Sequence, residues 1–481
     1  MSFKNISKKN FGLITFIVLT IFFIGQVLID GPVICKDTQS YIDMNFTREA
    51  GYSLILFWFR SLFEKMGFTG EAYGQPVYLL AVAIFQSIFW IIIIWKLGMY
   101  IYRFFGPVLG GLAVFFQIAV AAINRYLANR GSMYSESIMT EAFAMPLFLL
   151  LTIYLWDLFE EYRTSTLVKL FLVTVLTITI RKHMMVFLAT WMGVAFVMFL
   201  FVRKYREPKR FLVSLVLGVA ALICVTAIDE SYNHAIRGVY ASHVNGNMCA
   251  IETMLYTEVP ESKELFSKYA DSEEFPHLDE LYAHIYDTVQ EKQYAIEYYE
   301  GFTSRENLSV VNDWVTLVEH YAQVLDDIGY SIIYPSGNAY VAQYFPELDN
   351  THAQIKEDQV EKEIFKVLLM DDLKKFFTKE GHAVRVVLFS NIIKGFVISA
   401  ANTSPQILIK ISGFIYILFF AIFIMCLLRG KERVARMMFI VFAGLAVNCV
   451  VTGAMIFPQP RYMCYSMGLF YLTLCCGILY R

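Results

Sequence analysis

The stretch FGLITFIVLTIFFIGQVLI, residues 11–29, contains no ionisable side chain. A helix needs about 20 predominantly apolar residues to cross a hydrocarbon layer roughly 30 Å thick. The stretch therefore predicts a membrane-spanning helix. It is longer than the apolar core of a signal peptide, and no small-residue cleavage site follows it, so we expect it to remain part of the chain.

Nine more apolar stretches of similar length follow in the 481-residue chain. Hydrophobic residues make up 57% of the sequence and charged residues only 17%, whereas an ordinary soluble domain is about 25% charged. This composition excludes a soluble globular enzyme and a disordered chain. The predicted fold is mainly α, a polytopic membrane protein with about ten transmembrane helices. We place these at residues 11–29, 77–95, 107–123, 138–156, 167–180, 184–202, 211–228, 411–428, 437–456 and 463–480.

The formal net charge of −2 is the sum of two large opposite charges. Residues 229–384 include 29 acidic and 11 basic residues, a net of −18, and the rest of the chain carries +16. This separation predicts three regions. They are an N-terminal transmembrane module of seven spans (1–228) with a first outer loop (30–76), a mostly helical extracytoplasmic domain (229–410), and a C-terminal transmembrane module of three spans (411–481).

Lysine and arginine in the short connections predict the orientation, because they collect on the cytoplasmic side of a membrane. Alternate connections carry them, among them residues 203–210 and 429–436. With both termini cytoplasmic, this pattern holds through all ten spans. We expect a multi-pass protein of the plasma (inner) membrane. The segments expected outside are 30–76, 124–137, 181–183, 229–410 and 458–462.

The predicted spans are poor in ionisable residues. Apart from Lys169 near an inner end, none has an ionisable side chain near its centre. Ion-coupled transporters usually keep such groups at mid-membrane depth. The spans are therefore typical of a scaffold, and we expect any chemistry at the outer face.

The first outer loop contains the clearest candidate for a catalytic group. The loop is too amphipathic to span a membrane and favours one or two helices on its surface. Asp37 follows the first span closely, so its carboxylate can act near the bilayer as a base for a hydroxyl group. The alternative is that Asp37 caps the first surface helix. Tyr41 and Arg48 follow in the same loop.

Positive charge recurs at two other outer positions. Arg461 and Tyr462 lie between the last two spans, and Arg181, Lys182 and His183 form a tight turn between the fifth and sixth. The planar guanidinium group of arginine matches the oxygen geometry of phosphate. Both places suit an anionic group carried by a lipid. The alternatives are an interfacial anchor for Arg461 and a plain polar turn for residues 181–183.

The acidic outer region is open to two interpretations. It holds 14 of the 30 tyrosines, between residues 232 and 344, and tyrosine suits both sugar rings and the core of an ordinary domain. One candidate metal site is equally ambiguous, since the solvated face of an amphipathic helix would hold the same residues. These residues are His277, Glu280, His284 and Asp287.

Four motifs occur one after another along the membrane part of the chain. They are Asp37 with Tyr41, Arg48 followed by Gly51-Tyr52, Thr140-Glu141-Ala-Phe-Ala-Met-Pro at the start of the fourth span, and Pro460-Arg461-Tyr462 near the end. Together they resemble the GT-C superfamily, integral-membrane glycosyltransferases that use polyprenyl-phosphate sugars. The superfamily includes the protein mannosyltransferases and the aminoarabinose transferases of lipid A. The resemblance covers roughly the first 230 and the last 80 residues. Unlike the protein mannosyltransferases, this chain has no second acid directly after Asp37, and it has no proline after Tyr462, where relatives often have one.

The resemblance implies inverting transfer of a sugar from a polyprenyl-phosphate donor to an acceptor hydroxyl. Asp37 would be the general base, and Arg461, with Arg181 or Lys182, would hold the donor phosphate. Glu141 would bind a sugar hydroxyl, support Arg461 or merely cap its span. The resemblance implies no certain cofactor and leaves open whether a divalent cation takes part. The implied partners are the lipid-linked donor, a lipid, glycan or protein acceptor and the membrane, without nucleic acid. The remaining candidate substrate-binding residues are Tyr41, Arg48, His183 and Tyr462.

Other functions fit part of the pattern. A polysaccharide polymerase or ligase that acts on lipid-linked glycans also has many spans and a large outer loop. A non-catalytic lipid-glycan exporter would need a polar path through the spans, and the sequence indicates none. A sensor would need an inner signalling domain, for which the inner connections are too short.

Overall fold

The computed structural model describes residues 6–128, 130–402 and 406–480. Regular structure in this part of the chain is helical except for one short antiparallel strand pair, β1 (Glu71–Ala72) and β2 (Gln75–Pro76). The prediction of a mainly α fold is confirmed. The helices are α1 (Lys8–Asp30), α2 (Thr38–Ile42), α3 (Ala50–Lys65), α4 (Val77–Ala122), α5 (Glu141–Glu160), α6 (Thr164–Ile180), α7 (Met185–Phe201), α8 (Pro208–Arg237), α9 (Met248–Leu255), α10 (Leu278–Glu291), α11 (Val310–Ile328), α12 (Tyr334–Tyr344), α13 (Asn350–Lys375), α14 (His382–Ala401), α15 (Gln406–Leu428), α16 (Glu432–Met455), α17 (Pro460–Met463) and α18 (Met467–Leu479).

Nine helical segments in the described ranges are long and apolar enough to cross a membrane. The chain is thus a multi-pass membrane protein, as predicted. The apolar helix α6, which contains the predicted fifth span, is shorter, with 17 residues. One of the nine, α14, lies outside the ten predicted spans. The nine segments are α1, α4 with the turn that follows it, α5, α7 with the turn that precedes it, α8, α14, α15, α16, and α17 together with α18.

The helix α4 folds back on itself and contains two of the predicted spans. Gly106 interrupts it with a φ of 84°, a left-handed conformation that glycine adopts without strain, and Pro107 begins the second arm. The arms then approach closely, since a Cβ added to Gly110 would lie 3.1 Å from the carbonyl oxygen of Gly98. Small residues allow such contact between helices within a membrane.

The helix α5 is the central helix of this membrane bundle. It is buried along almost its whole length, and it packs against α4 and α6. The indole N–H of Trp90 in α4 donates to the carbonyl oxygen of Ala142 at 2.6 Å. Because α5 is surrounded by other helices, the residue at its first position, Glu141, is fixed by packing on all sides.

Connections between helices meet at the two ends of the bundle. At one end, Glu160 of α5 accepts from Arg433 Nε at 3.1 Å and from Arg436 Nη2 at 3.2 Å. At the other end, Arg125 donates to both oxygens of Asp30 at 3.0 Å. The predicted basic connection 429–436 therefore lies at the opposite end of α5 from Glu141.

The first loop contains the predicted surface helices, α2 and α3. One face of α3 exposes large apolar side chains, including Leu54, Phe57 and Trp58, and another buries Tyr52 and Leu56. A short helix that exposes apolar groups beside membrane spans is typical of the interfacial region. The prediction of amphipathic helices in this loop is confirmed.

The chain divides into two compact units. Unit 1 comprises Met1–Ala235, Phe396–Asn448 and Pro460–Arg481, and unit 2 comprises Ile236–Gly395 and Cys449–Gln459. The regional boundaries given by the sequence, at 228/229 and 410/411, stay a prediction.

Unit 2 is helical, and its apolar core is rich in tyrosine. Tyr282 stacks on Phe266 with ring centroids 4.0 Å apart, and its hydroxyl bonds the Ser262 hydroxyl at 2.7 Å. For half of the 14 tyrosines in this region, the interpretation as core residues is therefore the correct one. The core tyrosines are Tyr256, Tyr269, Tyr282, Tyr286, Tyr299, Tyr321 and Tyr340.

Candidate functional site

The candidate site lies in unit 1 and begins with the segment that carries Asp37. Val33 donates its N–H to the Glu136 carbonyl at 3.0 Å and accepts from the Ile138 N–H at 2.9 Å. The Thr38 hydroxyl donates to the Ile138 carbonyl, also at 2.9 Å. Because these bonds join the first loop to the segment just before α5, they fix the position of Asp37.

Asp37 occupies the N-cap position of α2, but its carboxylate accepts no capping hydrogen bond. It accepts instead from Arg48 Nη2 at 2.9 Å, and Arg48 Nε donates to Ser40 Oγ at 2.8 Å. The guanidinium group therefore binds α2 and its cap at two points, Asp37 and Ser40, as the planar arrangement of its donors allows. The Asp37 carboxylate therefore does not act as a helix cap.

Arg461, in α17, faces the second oxygen of Asp37. Its Nη1 atom lies 3.6 Å from Asp37 Oδ2 and 4.0 Å from Glu141 Oε1. Both distances exceed a hydrogen bond. The side chains of Asp37 and Arg461 keep 33% and 31% of their surface exposed, so a ligand group can reach both of them.

Glu141 and Arg181 form the buried part of the site. The Glu141 side chain is 0% exposed, and its Oε2 atom lies 2.8 Å from Arg181 Nη1. The same nitrogen donates to the Thr140 hydroxyl at 2.6 Å. Glu141 therefore supports a neighbouring arginine, and the pair joins the start of α5 to the end of α6.

Tyr462 provides an aromatic surface for two arginines. The guanidinium carbons of Arg181 and Arg461 lie 5.0 and 4.7 Å from its ring centroid, within cation–π range. The His183 ring lies 5.3 Å from the same ring, and His183 Nε2 is 3.3 Å from Asn448 Oδ1. The structure thus brings together three parts of the chain that the sequence predicted separately.

Tyr41 and Tyr52 close the site on the side of the surface helices. The Arg48 guanidinium lies 4.8 Å from the Tyr41 ring centroid, and Tyr41 meets Tyr52 edge to face at 5.2 Å. Burial, with a contribution from the Glu49 charge, raises the pKa of Tyr41 to about 12. Tyr41 is therefore neutral at physiological pH, and its ring packs against the Arg48 guanidinium.

Lys182 is the one predicted site residue that contributes only its backbone to these contacts. Its N–H donates to Glu49 Oε1 at 2.6 Å, which ties the turn to the start of α3. Its side chain is exposed. Neighbouring positions in a tight turn point in different directions, which separates Lys182 from Arg181.

A further buried carboxyl group, which the sequence did not indicate, lies in the segment before α5, near Asp30 and Arg125. Glu136 is 0% exposed, and burial raises its pKa to about 7 although the Met133 N–H donates to it at 3.4 Å. Residues 124–137 were predicted to lie outside, but the sequence gives no indication that Glu136 faces inward. Its backbone carbonyl accepts from the Val33 N–H, and its side chain lies near Asp30 and Arg125.

Five charged groups each lie within 4.0 Å of a group of opposite charge. They are three arginines and two carboxylates, whose formal charges sum to +1. They are Asp37, Arg48, Glu141, Arg181 and Arg461. Arginines in a partly water-excluded site bind phosphate through charged hydrogen bonds. The arrangement can therefore hold an anion beside the partly exposed carboxylate of Asp37.

No group of three histidine, cysteine, aspartate or glutamate residues within residues 6–128, 130–402 and 406–480 could hold a metal ion. At the candidate metal site on α10, His277 Nδ1 pairs with Glu280 Oε1 at 3.3 Å. Asp287 pairs with Lys263. These are contacts of a solvated helix face.

Comparison of the chain with models of protein families, with curated proteins and with solved structures finds no match.

Proposed function

We propose that the protein is a GT-C-type glycosyltransferase of the plasma (inner) membrane, with both termini cytoplasmic. It moves a sugar from a polyprenyl-phosphate donor to a hydroxyl group of a lipid, glycan or protein acceptor on the outer face. One observation carries the proposal. The Asp37 carboxylate, whose side chain is 33% exposed, lies with Oδ2 3.6 Å from the guanidinium of Arg461 in a cluster of net positive charge.

The proposed reaction is a single displacement. The acceptor oxygen attacks the anomeric carbon and forms the new C–O bond while the bond from that carbon to the phosphate oxygen breaks. The acceptor proton passes to Asp37, and the phosphate leaves with the bonding electrons. Because attack and departure occur on opposite faces of the sugar, its anomeric configuration inverts.

Arg461 has the role of holding the leaving phosphate, whose negative charge grows during the reaction. Its guanidinium is placed by the Tyr462 ring and by the carboxylates of Asp37 and Glu141. Arg48 occupies the other oxygen of Asp37 and so directs Oδ2 towards the acceptor. Arg181, neutralised by Glu141, adds a second guanidinium beside the phosphate.

The first prediction separates the roles of Asp37 and Arg461. Asp37→Asn keeps the shape of the side chain but removes the base, so turnover should fall by at least about 100-fold while donor binding persists. Arg461→Ala should weaken donor binding by about tenfold or more, the loss of one charged hydrogen bond. The measurements are polyprenyl-phosphate release and donor affinity, with the purified protein in lipid nanodiscs and a panel of synthetic polyprenyl-phosphate sugars.

Asp43→Asn is the matched control, since Asp43 is an exposed aspartate at the end of α2, bonded to Gln39. It should leave both quantities unchanged. Full turnover by Asp37→Asn would show that Asp37 is not the base. Unchanged donor affinity in Arg461→Ala would show that Arg461 does not contact the phosphate. Consumption of a lipid-diphosphate oligosaccharide in place of every monophosphate donor would assign a polysaccharide polymerase or ligase.

A further inference from the structure

A cavity of about 570 Å³ opens at the other end of the unit 1 bundle, away from the candidate site. It lies between the end of α7 and the facing ends of α15 and α16. Val197, Phe201, Phe423, Leu427 and Phe439 provide most of its apolar lining. Its volume is in the range of ligand-binding pockets, roughly 300–1,000 Å³.

The apolar part of this cavity is open on the side of the hydrocarbon layer. Phe201 is 75% exposed and Leu427 is 52% exposed, and both belong to helices that are long and apolar enough to span the membrane. The environment that meets such side chains in a bilayer is lipid acyl chain. An occupant of the cavity therefore needs a long apolar part.

The end of the cavity is basic. Arg203 and Arg436 line it together with one acid, Glu432. Arg436 forms an ion pair with Glu160 at 3.2 Å. Arg203 is exposed and has no ion-pair partner among the described residues. The two connections at this end, residues 202–208 and 429–436, contain seven basic residues and two acids. The occupant therefore needs an anionic head.

We propose that this cavity binds an anionic diacyl phospholipid. One acyl chain lies between α7 and the α15–α16 pair, and the phosphate contacts Arg203 and Arg436 at the mouth. Basic pockets between membrane helices recognise anionic head groups because charge attraction adds to the burial of the chain. The site is separate from the glycosyltransferase proposal and stands or falls without it.

The test uses the full chain in nanodiscs of phosphatidylcholine that contain a small fraction of a photoactivatable phospholipid with a diazirine in its acyl chain. Two probes are compared, phosphatidylglycerol and phosphatidylcholine. Mass spectrometry of the digested protein locates the labelled residues. We expect labelling to concentrate on residues 197–203 and 423–439, with the anionic probe at least about fivefold above the neutral one.

Two variants separate the head-group contact from the chain contact. Arg203→Gln should reduce the preference for the anionic probe to less than about half while labelling by the neutral probe persists. Val197→Trp fills the cavity and should reduce labelling by both probes. The matched control is Leu215→Trp, which adds the same ring at a 42% exposed position of α8 and should change neither.

Equal labelling by the two probes, or labelling spread evenly over the other spans, would overturn the proposal. An unchanged head-group preference in Arg203→Gln would do so as well. If Val197→Trp fails to fold, as judged by thermal unfolding, Arg203→Gln decides alone, since Arg203 is exposed and its truncation leaves no buried group without a partner.

Discussion

Glu141 and Arg181 show how much one buried ion pair constrains the candidate site. Glu141 is fully buried, and Arg181 retains 12% of its side-chain surface. Removing one member of such a pair leaves a charge without compensation in a medium of low polarity, which typically costs about 3–5 kcal/mol. Replacing both by apolar groups of similar size is often neutral.

We therefore expect Arg181→Met to lower the free energy of unfolding by about 3–5 kcal/mol, and the double variant Arg181→Met/Glu141→Met to recover most of that loss. Thermal unfolding of the full chain in detergent measures both. A double variant as unstable as the sum of the two single variants would show that the residues act independently.

At this scale the sequence predicted the members of the site but not their partners. Asp37, Glu141, Arg181 and Arg461 were each identifiable from residue type, position between spans and resemblance. Which carboxylate meets which guanidinium depends on how helices distant in sequence pack. The same dependence explains why the buried Glu136 could not be recognised, since its neighbours Asp30 and Arg125 belong to other elements of the fold.

The surface helix α3 approaches α6 more closely than any side chain would allow. A Cβ added at Gly51 would lie 2.8 Å from the Thr179 carbonyl oxygen, which is backbone and cannot move aside easily. The next residue of α3, Tyr52, donates to Gln86 of α4 at 2.8 Å. The glycine of the Gly51-Tyr52 motif therefore has a structural reason to be small.

The variant Gly51→Ala should push α3 away from α6 and destabilise the protein by about 1–3 kcal/mol, as overpacking does. Because α3 follows Arg48, we also expect weaker donor turnover. Gly70→Ala serves as the control, since a Cβ there meets no atom within 4 Å. Equal melting temperatures for the two variants would mean that the α3–α6 contact tolerates a methyl group.

Element by element, the sequence predicted the spans well because membrane helices need long apolar stretches and little else. It placed two spans, 77–95 and 107–123, in the stretch that forms the two arms of α4, but it did not predict that the first arm stays helical up to the turn at Gly106. It also left α14 out of the predicted spans, although this helix is long and apolar enough to cross a membrane.

In the molecule as a whole, the acidic residues of unit 2 are less solvated than their number predicts. Glu252, Glu258 and Glu361 are at most 4% exposed. Burial raises the pKa of each from 4.5 to about 8. For Glu361 the charges of Glu357, Asp358 and Glu252 add to the effect, and Lys362 opposes it.

The sign of the resulting pH dependence follows from proton counts. Between about pH 4.5 and 8 the folded state keeps protons on these carboxyl groups that the unfolded chain has released. Stability therefore falls as the pH rises through this range. We expect the protein to unfold at a higher temperature at pH 5.5 than at pH 8.

The variant Glu361→Gln replaces one of these buried carboxyl groups with an amide that does not titrate. It should raise the stability at pH 8 by about 1–2 kcal/mol, or roughly 2–8 °C, and change it little at pH 5.5. The control Glu347→Gln replaces an exposed acid of the same unit and should have no effect at either pH. A larger gain for Glu361→Gln at pH 5.5 than at pH 8 would contradict the assignment.

The reversal at Gly106 also bears on how the chain is made. The two arms of α4 are joined without a hydrophilic loop, and they touch through Gly98 and Gly110. A single arm released into lipid would leave this small-residue face without its partner. We expect residues 77–127 to leave the translocon as one preassembled helical hairpin, so that both arms enter the bilayer in a single insertion step.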